Sequence, residues 1–145
     1  MTYGPVQDGD RSPTIVAVTE VWTGFQTMTA DECRRLLGAA EIGRVAVSAG
    51  ALPLVLPVQY TLQDDHLLLR TPGHHEVGDG IDGQVVGFEA DQIDLDHGVG
   101  WCVSVTGTVR IVPGATMADP VHRWFSDGVV LAMATDVIVG HRVAV

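Results

Sequence analysis

Arg70-Thr71-Pro72-Gly73-His74-His75 brings together a guanidinium, a hydroxyl, two imidazoles and the backbone amides of a Pro-Gly turn. Such a loop suits a phosphate, since paired guanidinium N–H groups and successive backbone amides together form a concave anion site. The chain has no lysine, so its eight formal positive charges are all arginines. Any anion site must therefore be built from arginine, histidine, hydroxyls and amides. Other chemistries fit the sequence less well. Ala46-Val47-Ser48-Ala49-Gly50 loosely resembles a nucleophile elbow, yet a strand follows it where that motif needs a helix. Asp91, Asp94 and Asp96 miss the ligand spacing of a calcium loop and read as a solvated acidic connection. His74 and His75 are adjacent, and in extended backbone their side chains point apart, so no metal site is expected. Gly98-Val99-Gly100 precedes a strand and lacks a third glycine, which excludes a dinucleotide fingerprint. No side chain is assigned a catalytic role.

The loop must be held by what precedes it. Leu52 to Tyr60 alternates with Leu52, Leu54, Leu56, Val58 and Tyr60 on one face, Gln63-Asp64-Asp65 is a polar turn, and His66 to Arg70 is the returning arm of a hairpin. Pro53 and Pro57 cannot donate to a ladder, so they place their arm at an edge or bulge whose backbone is free to bind something else.

Around the hairpin, residues 1–13 read as a flexible tail and 14–145 as a single domain. Thr14 to Trp22 is apolar and β-branched enough for a strand or an extended arm. Thr29-Ala30-Asp31-Glu32 is a capping box, and Cys33, Leu36, Leu37 and Ala40 stripe the helix that it starts. Arg44 to Val47 is a short strand closed by Ser48-Ala49-Gly50. Gly78 to Gly83 is a loop with little to pack, Gln84 to Ala90 a strand, and Asp91 to Gly98 an acidic connection. Gly100 to Val112 is the strongest strand, with a bulge expected at Gly107. Thr116 to Phe125 reads as a short helix and Val129 to Val139 as a final strand. Two helices and about six mainly antiparallel strands make a mostly β split barrel with minor α.

At 145 residues and 46% hydrophobic, the chain supports one ordinary core. A net charge of −10 opposes nucleic acid and anionic membranes as partners. No apolar run approaches the roughly 20 residues of a membrane span, and the N-terminus lacks the order of a signal peptide. A cytoplasmic protein is expected, with Cys33 and Cys102 as reduced, packed thiols.

The ordered run of Met28 to Leu37, Ile42 to Val47, Leu52 to Tyr60, Leu69 to Gly73, Val85 to Asp91, Gly100 to Gly107 and Val139 to Arg142 resembles the pyridoxamine 5'-phosphate oxidase-like, FMN-binding split-barrel family. Within that family it looks most like the small flavin and deazaflavin reductases, nitroimidazole-resistance reductases included. The resemblance implies an FMN-binding oxidoreductase acting on a small-molecule substrate, and a homodimer with flavin at the interface. It sets the isoalloxazine against Pro57, Val58, Gln59 and Tyr60, and the phosphate at Arg70, Thr71, Gly73, His74 and His75. Trp101 or Trp124 becomes a wall of the substrate pocket. His74-His75 stands where the family's loop carries a lysine, which leaves F420 or a cofactor-free binding module as alternatives.

Overall fold

The computed structural model describes residues 25–72, 79–114, 125 and 128–143. In chain order these form β1 (Phe25–Thr27), α1 (Ala30–Leu37), β2 (Ile42–Ala49), β3 (Leu52–Gln63), β4 (His66–Arg70), a 3-10 turn (Asp79–Ile81), β5 (Val85–Asp94), β6 (Val99–Ile111), β7 (Val130–Ala134) and β8 (Val137–Val143). Among the described residues every strand pairing is antiparallel. Six strands close a ring in the order β6-β5-β2-β3-β4-β7, while β8 and then β1 extend the sheet on the other side of β6. The fold is mostly β, as the sequence led us to expect.

β6 creates the split. Its Gly100–Thr106 half pairs with β8 and its Val109–Ile111 half with β7. Gly107 sits at the changeover, where any side chain would collide with the carbonyl of Ala134. The bulge expected there is absent, because the β5–β6 register runs unbroken from Val85↔Thr108 to Asp94↔Val99. Glycine is needed for close approach of two backbones, not for a kink.

Period-2 alternation sends Val45 and Val47, Val58 and Tyr60, Leu67 and Leu69, Val86 and Phe88, Val103 and Val105, and Leu131 and Met133 inward. Each fully buried aliphatic side chain contributes about 1.5–3 kcal/mol relative to exposure. α1 starts as the sequence predicts: the Glu32 amide donates to Thr29 Oγ1 at 3.2 Å and the Thr29 amide to Glu32 Oε2 at 2.9 Å. It buries Cys33 and Leu37 and packs against β8 and β6. Cys33 and Cys102 are free thiols.

Several boundaries differ from expectation. β2 begins at Ile42 and runs through Ser48 to Ala49, so the turn falls at Gly50, where φ is +63°. β5 continues to Asp94, so Asp91 belongs to a strand and not to the acidic connection. The single strand expected over Val129 to Val139 is two, because Thr135 leaves the ladder to donate its amide and its hydroxyl to the Asp65 carbonyl, at 3.2 and 2.8 Å. Ile81, in a loop expected to pack little, is buried in the core. The tail, the Thr14–Trp22 strand and, apart from Phe125, the Thr116–Phe125 helix lie outside the described residues.

Candidate functional site

Backbone parity along β3 decides which way each expected residue faces. Tyr60 N–H donates to the Glu41 carbonyl at 2.9 Å, so in an antiparallel pair every second peptide group, at Val58, Leu56 and Leu54, also faces β2. The groups of Pro53, Val55 and Pro57 face the opposite edge, which β4 reaches only from Gln59 onward. Both prolines therefore forfeit no ladder bond. Among the described residues, the edge groups of Pro53, Val55 and Pro57 have no strand partner.

Side chains on β3 alternate as well. Val58 and Tyr60 are core residues. Tyr60 donates its hydroxyl to the Leu37 carbonyl at 2.6 Å, and its ring meets Phe88 edge-on with centroids 4.9 Å apart. Burial first, then the charge of Glu89, pushes this phenol up to about 12. Its side chain is thus committed to holding the end of α1. Gln59 faces outward opposite Arg70 on β4, and its Oε1 is buried with no hydrogen-bond partner. Arg70 and Thr71 are both buried. Thr71 Oγ1 accepts from the Val129 amide at 3.2 Å and donates to the Val129 carbonyl at 3.4 Å, tying the end of β4 to the start of β7. Gly73, His74, His75 and Trp124 lie outside the described residues.

The strand register lays this edge onto one continuous outward face. Val139, Ser104, Glu89, Arg44 and Pro57 form a row across β8, β6, β5, β2 and β3, and Val137, Thr106, Gly87, Ala46 and Val55 form the next. A cavity of about 450 Å³ lies over the β8–β6–β5 end. Phe25, Val139 and Val143 wall it, and Glu89, Asp91 and His141 supply polar groups. Trp101 borders this cavity and a second groove of about 560 Å³ flanked by Arg35 and Arg142. The structure thus brings Gln59 and Arg70 together and sets Trp101 apart from them, with β2 and β5 between β3 and β6.

The cavity has an ionic cluster that was not expected from the sequence. Arg44 Nη1 lies 3.5 Å from Glu89 Oε2 and 3.6 Å from Asp91 Oδ1. Burial pushes the Glu89 carboxyl up to about 7, helped by its hydrogen bond to Asp91 and the Asp91 charge and opposed by Arg44. The available signal was the i, i+2 spacing of Glu89 and Asp91, which in a strand puts both on one face. Ending β5 at Ala90 hid it. Among the described residues, no three His, Cys, Asp or Glu side chains are grouped to hold a metal ion.

Comparison with known proteins matches this architecture. The chain is 31% identical over 124 residues to an uncharacterized protein of Mycobacterium tuberculosis, covering 78% of this chain and 82% of that one. Its fold superposes on the FAD binding protein from Mycobacterium smegmatis with TM-score 0.59 and 24% identity, covering 81% of this chain and 97% of that one. A FAD-binding protein from Mesorhizobium loti gives TM-score 0.64 at 20% identity, covering 83% of this chain and 98% of that one. These structural likenesses establish the fold. The sequence model of the pyridoxamine 5'-phosphate oxidase family matches residues 29–135. The chain belongs to the pyridoxamine 5'-phosphate oxidase family.

Proposed function

We propose that this chain binds FMN and works as a flavin-dependent oxidoreductase on a small molecule, as a cytoplasmic homodimer. The observation that carries the reading is the unmet hydrogen-bonding capacity of β3. Gln59 Oε1 is a buried acceptor with no partner, beside an edge where the Val55 amide and the Pro53 and Pro57 carbonyls have no strand partner among the described residues. Gln59 Oε1 can accept from the single N–H of a flavin's pyrimidine rim and the Val55 amide can donate to one of that rim's carbonyls, and native proteins rarely leave a buried polar atom unpaired. Two relatives named as FAD-binding support the same class of ligand.

Gln59 and the β3 edge would orient the ring, and the loop from Arg70 to His75 would take the phosphate. When bound, the flavin supplies hydride chemistry, and the protein contributes binding, orientation and exclusion of water. Trp101 would form part of the wall that faces the substrate. Saturable quenching of FMN fluorescence on titration with protein is expected. No quenching at high micromolar concentration, by FMN or FAD, contradicts the reading, and binding of F420 alone would change the cofactor.

A further inference from the structure

We propose that the Arg44–Glu89–Asp91 cluster is a proton-uptake site that couples the pairing of two copies of this chain, through the outward β8–β6–β5–β2 face, to pH. The inference rests on the homodimer reading above and adds its regulation.

The face fits a second copy by shape and by charge. Its centre is built from small residues, Ala46, Gly87, Ser104 and Thr106, arranged by register. A methyl added at Gly87 would meet only the Ala46 Cβ at 3.8 Å, so among the described residues nothing covers this position. Apolar side chains, Phe25, Val137, Val139 and Val143, flank the small residues.

The cluster sets the proton count. One guanidinium faces two carboxylates, leaving one excess negative charge, with the Arg44, Glu89 and Asp91 side chains 43%, 34% and 29% exposed. Removing water from an excess charge is costly, and a carboxyl meets that cost by taking a proton. After uptake each cluster is neutral and offers both donors and acceptors, which makes it self-complementary about a two-fold axis. Glu89 already titrates near pH 7 before the face is covered, since burial holds it at about 7. Covering the face deepens burial and raises it further. The paired state therefore binds more protons than the free state, and association weakens as pH rises through neutrality.

The other groups facing the pair are Arg44 on β2, Cys102 on β6 and His141 on β8. Tyr60 on β3 feels the Glu89 charge. Cys102, pushed up by burial, and Tyr60 are neutral at these pH values. His141 is the remaining side chain facing the pair, and its own substitution separates its part from that of Glu89.

The test is sedimentation equilibrium of the full chain between pH 6 and 8, for the parent, Glu89→Gln, Asp91→Asn and His141→Gln, with circular dichroism as the check on folding. The parent's dissociation constant should rise about tenfold to a hundredfold from pH 6 to 8, since each of the two copies gives up a proton on dissociation and each proton is worth up to about tenfold per pH unit. Glu89→Gln and Asp91→Asn should pair with little dependence on pH, while His141→Gln keeps the parent's slope. A parent dimer with a pH-independent constant overturns the proton coupling and leaves the homodimer standing. The coupling is likewise overturned if Glu89→Gln keeps the parent's slope or if only His141→Gln removes it. A parent that is monomeric at every pH overturns the homodimer reading, and this inference with it.

Discussion

Gln59 and Tyr60 are neighbours on one strand with opposite roles, and each makes a separate claim. Gln59 Oε1 is buried and unpartnered, which costs stability in the ligand-free chain. Gln59→Leu should therefore weaken FMN binding by about tenfold, near 1.4 kcal/mol, without lowering the melting temperature. Unchanged affinity in a fluorescence titration would remove Gln59 from the site. Tyr60 instead fastens α1 through its 2.6 Å bond to the Leu37 carbonyl. Tyr60→Phe should cost about 1 kcal/mol in denaturant unfolding, because it removes a short buried bond and leaves the Leu37 carbonyl only the Ala40 amide at 3.4 Å. Glu89 makes a third claim. Its folded value of about 7 lies above its ordinary 4.5, so its contribution to stability is fully present below about pH 4.5 and is lost as pH rises through 7. The melting temperature of the parent should fall over that window more than that of Glu89→Gln. Parallel profiles would contradict the assignment.

At the scale of elements, the structure depends on where β6 exchanges one partner for another. Gly107→Val should prevent folding or lower the melting temperature steeply, since the side chain has to displace the Ala134 backbone in the β7 ladder. A variant with the parent's melting curve would show that the close approach is not needed. The elements that the sequence made legible are those whose signals are local. The Thr29–Glu32 box, the Gln63-Asp64-Asp65 turn and the alternation of β6 each depend on residues near one another in the chain. Those that stayed hidden depend on long-range partners. Asp91 looks like loop by composition, yet it pairs with Cys102 across β5 and β6 and so continues a strand. Thr135, β-branched and unremarkable in a strand, leaves the ladder because the Asp65 carbonyl accepts its amide and hydroxyl from another hairpin. The Arg44–Glu89–Asp91 cluster was hidden in part for the same reason: the two carboxylates share β5 at i, i+2, but Arg44 reaches them from β2, far away in the chain.

For the molecule as a whole, the family and the fold agree with the motif order, and the strand register sets the β3 edge and the cavity on one outward face. The edge at Pro53 to Pro57, without a strand partner among the described residues, was legible because proline announces it. Which of the β3 side chains point outward depended on register, and so Tyr60 and Val58 proved to be core. The central claim is that this face holds a flavin. The most direct measurement is the visible absorption spectrum of the purified protein, before and after addition of FMN and removal of unbound ligand. Flavin absorption bands that remain with the protein are expected. A colourless protein that retains no FMN or FAD after exposure to either would contradict it.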